Sequence, residues 1–336
     1  MAETTGIKDQ LRKLGRDWAK AREIPCLLFV SRSIVTADLL AVRRALEGME
    51  EECLDVLVAS PGGDIAAAYL IARELRRRFE RVTAIVPFRA KSAATLICLG
   101  CDEIVMGSLG ELGPLDEQVN EKQAADFPLN TSRLVPSKSL AQLQQAAVDT
   151  FESVAGRILE KSGMRPFDAC TKAAELTTSL YAALYAQIDP SRLGESARAL
   201  ETGSEYAVRI LRRYRSEIDP DQAKQIVHRL VHGYPSHGFV IDLEEAQDLT
   251  LPVRPGKEAE TPILEELAMA LIEFGIDEDL IELAGPPPGA IESAQAVLKR
   301  MPGQTRGRSR KDPRLSDVKK RDMAAKRHTG SLIGEL

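Results

Sequence analysis

The sequence reads LDVLVASPGGD from Leu54 to Asp64 and, one helical pattern and one strand pattern later, KSAA from Lys91 to Ala94. Both pieces stand where an apolar run with strand character gives way to a helical pattern. In open α/β sheets the functional residues lie outside the carboxyl ends of the strands. The two pieces are therefore predicted to lie at one edge of a parallel sheet, and this edge is where we expect the chemistry.

Strand and helix patterns alternate through the first third of the chain. The apolar runs are short enough for strands and lie at 24–30, 54–59, 82–87 and 104–106. Helical patterns separate them at 36–47, the first capped by Thr36, then at 64–79 and 92–100. Runs that are apolar throughout are typical of parallel strands buried on both faces. The alternation predicts an α/β fold with a parallel sheet and right-handed crossovers.

The chain divides into four expected regions. An N-terminal helical arm (1–23) precedes an α/β domain (24–255), which is interrupted by a helical insertion at about 139–231 after a loop at 118–136. A C-terminal helical extension (256–302) and a tail (303–336) follow. The tail is basic, with little apolar content, and is predicted to be disordered. It either contacts acidic surfaces, such as nucleic acid, or merely solvates the chain.

Composition narrows the class further. The 336 residues are 44% hydrophobic, which suits a soluble globular protein with one large or two smaller domains. No apolar run approaches the length of a membrane helix, and the polar first 22 residues do not resemble a signal peptide. Five cysteines favour a reduced compartment, so we expect a cytoplasmic protein. A lone Cys98-x-x-Cys101 pair is weak evidence for a metal or redox site. Because no Walker loop, HExxH or GxGxxG motif occurs either, no cofactor or metal is expected.

Ser92 and Gly63 are the residues best placed for chemistry. A serine at the first turn of a helix after a buried strand faces the sheet edge, and the helix N-terminus favours a developing negative charge. Taken singly, such a serine is more often an N-cap, and two glycines more often form a tight turn. Glycine also leaves a backbone N–H free to bind an oxyanion, so the combination favours catalysis.

The combination resembles the Clp-type serine peptidases, which include the Clp protease proteolytic subunit and signal peptide peptidase A. The resemblance rests on Ser60-Pro61-Gly62-Gly63 and Lys91-Ser92-Ala93-Ala94, with 29 residues from Gly63 to Ser92, and continues through 99–107 and 112–116. It covers about 24–255 and is closest to the serine dehydrogenase proteinase branch. It implies a ClpP/crotonase-like fold and an acyl-enzyme mechanism with Ser92 as nucleophile and the N–H groups of Gly63 and Ala93 as oxyanion hole.

The same resemblance implies the remaining catalytic residues. The proteinase branch has the order Ser, Asp, His, which implies Asp116 as orienter and His237 as general base. Triads are defined by geometry, so this order is chemically acceptable. His232, just before the same loop, competes with His237, and a lysine base is a further alternative. Lys91 adjoins Ser92, but neighbouring side chains diverge there, so we expect Lys91 to frame the substrate.

The expected function is therefore a serine peptidase that acts on a peptide or protein substrate and forms a homo-oligomer through its helical insertion. One alternative is a non-catalytic Clp-fold scaffold or regulatory protein. Another is an acyl-CoA enzyme of the related crotonase fold, which requires no serine nucleophile.

Overall fold

The computed structural model describes residues 2–115, 118–120, 130–132 and 134–284. Asp116 and the basic tail at 303–336 lie outside the described residues. The helices, in chain order, are α1 (Ala2–Arg22), α2 (Thr36–Ala45), α3 (Ile65–Arg78), α4 (Ala93–Leu99), α5 (Leu134–Ser162), α6 (Pro166–Tyr185), α7 (Pro190–Tyr214), α8 (Pro220–His232), α9 (Leu243–Asp248) and α10 (Thr261–Phe274). The strands are β1 (Cys26–Val30), β2 (Cys53–Ala59), β3 (Arg81–Val86), β4 (Arg89–Ala90), β5 (Glu103–Met106), β6 (Glu111–Leu112), β7 (Gln118–Asn120), β8 (Asn130–Ser132), β9 (Val253–Pro255) and β10 (Leu280–Ala284).

A six-stranded sheet forms the centre of the fold, in the order β10-β1-β2-β3-β5-β9. Every neighbouring pair from β1 to β9 is parallel, and only β10 pairs antiparallel, with β1. The predicted α/β fold with a parallel core is confirmed. Parallel strands need long crossovers, and α2, α3 and α4 provide them between successive strands.

Both faces of the sheet are covered, as the unbroken apolar runs require. Along β2, Val56 and Val58 pack in the core on the side of α3, α4 and α7. Leu57 and Ala59 point the other way, into a core shared with α1 and α10, where Trp18 is fully buried. None of the helices in the described part of the chain is long and apolar enough to cross a membrane.

Several local predictions were wrong. The N-cap of α2 is Val35 instead of Thr36, because the Asp38 carboxylate accepts the N–H of Val35 at 3.0 Å. The segment predicted as a loop at 118–136 contains the antiparallel pair β7 and β8 and the start of α5. Within the predicted helical extension, α10 is followed by β10, a five-residue strand whose pairing with β1 no local pattern reveals.

A buried ionic network joins α1 to Asp55, near the start of β2, and to Glu260. Arg22 Nε lies 2.5 Å from Asp55 Oδ2, and Trp18 Nε1 donates to the same oxygen at 2.9 Å. Arg22 Nη1 also lies 2.6 Å from Glu260 Oε1, and Arg254 Nη1 lies 2.6 Å from the other oxygen of Glu260. Burial alone would raise the pKa of Glu260, but the hydrogen bonds from Arg254, Lys257 N–H and Arg22 lower this pKa to about 2.

Candidate active site

The glycine turn carries the chain from β2 into α3. The Ser60 hydroxyl accepts the N–H of Gly62 at 3.1 Å, and Asp64 caps α3 by accepting the N–H groups of Ala66 and Ala67 at 2.8 and 3.2 Å. Gly62 and Gly63 have φ angles of 119° and 148°, which side chains rarely tolerate. The two glycines are needed here for their backbone freedom.

Gly63 is also locked against the segment after β1. Ile34 N–H donates to Gly62 O at 2.8 Å, and Asp64 N–H donates to Ile34 O at 2.8 Å. These two bonds flank Gly63 in a parallel bridge, so the N–H of Gly63 itself faces away from Ile34. A Cβ at Gly63 would lie 2.4 Å from both Ile34 N and Ile34 O. The position therefore accepts only glycine and presents its N–H on the side opposite Ile34.

Ser92 occupies a strained turn between β4 and α4. Its φ and ψ angles are 51° and −118°, a conformation that costs a residue with a side chain about 1–3 kcal/mol. It is the N-cap residue of α4, yet its side chain makes no capping hydrogen bond. The residue is 3% exposed. A serine on a sharp, strained turn from strand to helix is the geometry of a nucleophile elbow, and the capping interpretation of Ser92 has no hydrogen bond to support it.

The structure brings the two motifs into contact. Ser60 N–H donates to Arg89 O, and Lys91 N–H donates to Ser60 O, both at 3.0 Å, so the turn pairs directly with the strand that leads to Ser92. A Cβ at Gly62 would lie 2.8 Å from Ser92 Cβ and 3.2 Å from Ser92 Oγ. The glycine turn thus packs against the serine itself.

Lys91, the residue before Ser92, is buried with 9% of its surface exposed. Its ammonium group donates to Leu112 O at 3.2 Å and Phe239 O at 3.0 Å, and lies 3.1 Å from Glu111 Oε2. Burial lowers the pKa of Lys91, and the nearby Glu111 carboxylate opposes this shift. Instead of lining an open substrate groove, the Lys91 side chain is enclosed by protein groups.

The segment that leads to Asp116 runs past the start of α4. The Thr95 hydroxyl, one turn after Ser92, lies 2.7 Å from Ala90 O and 2.9 Å from Gly113 O, and accepts the N–H of Gly113 at 3.1 Å. Leu115 N–H then donates to Leu230 O at 2.9 Å. Asp116 is the next residue but lies outside the described residues, so its role as orienter stays a prediction.

The loop that carries His237 joins α8 to α9 and is held at both ends. Tyr234 donates its hydroxyl to Glu245 at 2.6 Å, and its ring stacks on Phe239 with centroids 4.7 Å apart. Ile241 then forms an antiparallel bridge with Leu112. His237 itself is half-buried. Through Phe239 O the loop reaches the ammonium group of Lys91, so the structure brings the loop of His237 to the residue next to Ser92.

The other candidate residues are His232 and the pair Cys98 and Cys101. His232 is the last residue of α8, where its ring lies 5.1 Å from that of His228. Cys98 and Cys101 are both buried, and burial raises the pKa of Cys101 to about 12 and that of Cys98 well above its usual value. Thiols of this kind stay protonated at neutral pH and are inert. The described residues contain no group of three or more side chains suited to hold a metal ion.

Sequence reasoning missed three residues that build the site. Thr95 fixes Gly113, Glu111 pairs with Lys91, and Phe239 supplies the carbonyl that Lys91 binds. Only Thr95 had a local signal, because it lies one helical turn after Ser92 on the same face. Glu111 and Phe239 reach the site through tertiary contacts, which the sequence pattern does not show.

A parallel sheet with a strained serine at one strand end and a Pro-Gly-Gly turn beside it is the arrangement that the motifs of the Clp-type serine peptidases indicated. Residues 23–153 match the family described as ClpP-like SDH-type serine proteinase. This region contains Gly63, Ser92 and Asp116 and ends before His237. The match supports the resemblance to the Clp-type serine peptidases over this part of the chain.

Two relatives come from Methanocaldococcus jannaschii. The uncharacterized proteins MJ1495 and MJ0137 are 33% and 34% identical over 104 and 101 residues, or 31% and 30% of this chain. The chain spans about a third of the length of these relatives, 35% and 34% respectively.

Similar solved structures include two mutants of the 1510-N membrane-bound stomatin-specific protease, one of them in complex with a substrate peptide. Each covers 44% of this chain, with TM-scores of 0.28 and 0.29 and identities of 16% and 18%. The matched parts cover 68% and 64% of those chains.

Proposed function

We propose that the protein is a serine peptidase that cleaves its substrate through an acyl-enzyme formed on Ser92. The single observation that carries the proposal is the strained turn at Ser92. Its backbone holds the serine hydroxyl beside the glycine turn, and the hydroxyl makes no helix-capping hydrogen bond. In the first step Ser92 Oγ attacks the scissile carbonyl carbon and transfers its proton to the base. The amine then leaves with that proton, and water hydrolyses the ester.

The proposed oxyanion hole consists of the N–H groups of Gly63 and Ala93. The N–H of Gly63 faces away from Ile34, because the bridge to Ile34 uses only the flanking Gly62 O and Asp64 N–H. Ala93 is the first residue of α4, so the intrahelical ladder leaves its N–H free to bind an oxyanion. Removal of one such donor costs about 10²–10³ in rate.

His237 and Asp116 complete the proposed mechanism as base and orienter. The loop of His237 reaches Lys91, and the described segment that leads toward Asp116 ends at Leu115. A lysine base is the less favoured alternative, since the Lys91 ammonium group donates hydrogen bonds to two carbonyl oxygens and pairs with Glu111. A general base needs a free lone pair directed at the nucleophile.

A fluorophosphonate probe tests the proposal directly. The expected result is a single covalent adduct that peptide mapping places on Ser92, and its loss in Ser92→Ala. Ser162→Ala, which removes a hydroxyl at the exposed end of α5, is the matched control and should label as the wild type does. Labelling that persists in Ser92→Ala, or no labelling of the wild type, would favour the non-catalytic scaffold.

We also propose a peptide or protein substrate, a homo-oligomeric assembly and a cytoplasmic location, in line with the resemblance and composition. Large apolar side chains exposed on the helical insertion support the assembly, notably Phe167, with 81% of its surface exposed. Three further exposed leucines follow at four-residue spacing on the same helix, α6: Leu176, Leu180 and Leu184.

A further inference from the structure

The Lys91 ammonium group joins three separate segments of the chain. Lys91 belongs to the strand end that carries Ser92, Leu112 lies four residues before Asp116, and Phe239 lies two residues after His237. The ammonium group donates to the main-chain oxygens of Leu112 and Phe239 at 3.2 and 3.0 Å. Every segment that bears a proposed triad residue is thus bonded to one side chain.

The carboxylate of Glu111 completes this cluster. Its Oε2 lies 3.1 Å from Lys91 Nζ, and 18% of its side chain is exposed. A buried ammonium group is costly unless it is paired and hydrogen-bonded, and here all three of its N–H donors have acceptors. The cost of burying this charge is offset only if the three acceptors stay in place, so the lysine restrains the segments that hold them.

We propose that Lys91 is a positioning residue that fixes the loop of His237 and the segment before Asp116 relative to Ser92. The proposal rests on the proposed function, because it assigns Lys91 a role in that reaction. In the proposed role Lys91 needs no contact with the substrate or the transferred proton. It acts through Phe239 O and Leu112 O, since a displacement of about 1 Å in catalytic geometry can cost about 10²-fold in rate.

The aliphatic part of the Lys91 side chain is as confined as its ammonium group. A Cβ at Gly113 would lie 2.5 Å from Lys91 Cδ and 3.3 Å from Lys91 Cα. Because Cδ lies in the middle of the side chain, between backbone and bonded ammonium group, it cannot yield without moving Nζ. Gly113→Ala should therefore disturb the same cluster without changing any charge.

The first measurement is kinetic, on a small ester substrate. In Lys91→Met, kcat is expected to fall by about 10²-fold, while KM changes by less than about 3-fold, because the geometry of catalysis is lost and the binding surface is kept. Lys91→Met combined with Glu111→Gln removes both charges and avoids leaving a carboxylate unpaired, should the single variant fail to fold. Arg76→Met is the control, since it removes a part-buried cation that pairs with Asp102, away from the site.

The second measurement is hydrogen exchange of the loop. The N–H of Phe239 donates to Ser236 O at 3.2 Å, and that of Ile241 donates to Leu112 O at 3.1 Å. In Lys91→Met and Gly113→Ala both amides are expected to exchange at least about 10-fold faster, because local opening no longer breaks the bonds to Lys91. The amide of Ile104, bonded to Pro252 O at 2.9 Å, should keep its rate.

The outcomes separate the two proposals. Faster exchange of Phe239 and Ile241 together with a fall in kcat supports the positioning role. Unchanged loop exchange, or unchanged kcat in spite of faster exchange, overturns the positioning role of Lys91. The peptidase proposal still holds in that case if the wild type hydrolyses the ester and is labelled by the probe. A wild type that neither hydrolyses the ester nor reacts with the probe refutes the proposed function, and the role of Lys91 in it.

Discussion

Replacement of Gly63 by alanine tests whether the glycine turn is held as rigidly as the contacts indicate. A Cβ at this position would meet the backbone of Ile34 at 2.4 Å, and backbone cannot move aside as a flexible side chain can. The φ angle of 148° adds strain of its own. Gly63→Ala should therefore both unfold more easily and lose activity.

The magnitude follows from three contributions. An alanine at positive φ costs about 1–2 kcal/mol, and forcing a methyl group into a packed site costs about 1–3 kcal/mol. If Ile34 is pushed away, its two hydrogen bonds, to Gly62 O and from Asp64 N–H, are each worth about 1 kcal/mol. The expected loss in free energy of unfolding is thus about 4–7 kcal/mol, with the larger part due to the collision and the two lost hydrogen bonds.

Two other glycines separate the contributions. Gly48 has a φ of 77°, and a Cβ built at this position would have no atom within 4 Å, so Gly48→Ala should lose only the strain, about 1–2 kcal/mol, and keep full activity. Gly62→Ala would place its Cβ 2.8 Å from Ser92 Cβ, so it should lose activity by displacing the nucleophile. Urea unfolding followed by circular dichroism, with ester hydrolysis of the folded variants, measures both effects.

A Gly63→Ala variant no less stable than Gly48→Ala would contradict a rigidly held glycine turn. Equal stability would mean that Ile34 moves away at little cost, and the bridge between the two segments would then not hold the N–H of Gly63 in place. A stable, fully active Gly63→Ala would also remove Gly63 from the proposed oxyanion hole.

Three further predictions concern other parts of the molecule. Ser92→Gly should abolish hydrolysis yet unfold at a higher urea concentration than Ser92→Ala, because glycine relieves the strain at φ 51°; equal midpoints would contradict the strained turn. Since the pKa of Glu260 is lowered to about 2 in the folded state, its contribution to stability is present above the unfolded pKa of about 4.5 and disappears as pH falls toward 2; Glu260→Gln should flatten this part of the stability profile, and an unchanged profile would show that the network with Arg22 does not contribute. Light scattering at micromolar concentration should give a multiple of the 36.8 kDa chain mass, reduced in Phe167→Asp, whereas a monomeric wild type would refute the assembly.

Much of the sheet could be predicted because its strands are buried on both faces. Runs such as 54–59 are apolar at nearly every position, which marks a parallel strand without knowledge of its partners. The turn at Gly62 and Gly63 was equally visible, since proline followed by two glycines has few other structural uses. A short stretch of sequence is enough to predict each feature, and both appear in the structure at the expected places.

The rest depends on contacts between distant residues. The pairing of β10 with β1 joins residues that lie about 250 positions or more apart, and a five-residue strand carries no sign of its partner. The cluster around Lys91 joins Phe239 across 148 positions, a contact that the adjacency of Lys91 to Ser92 does not reveal. The positive φ of Ser92 had no signal either, because serine rarely adopts it.

The strain at Ser92 bears on why a serine stands there. Its side chain caps nothing, and its backbone adopts a conformation that glycine would accept without penalty. The neighbouring turn is contorted as well, with two glycines at positive φ, and backbone hydrogen bonds from Ser60 to Arg89 and from Lys91 to Ser60 hold the two turns together. A fold that only needed to pass from strand to helix would be better served by a relaxed cap. The strained backbone and the absence of a capping bond therefore support the proposal that the Ser92 hydroxyl serves chemistry at the glycine turn.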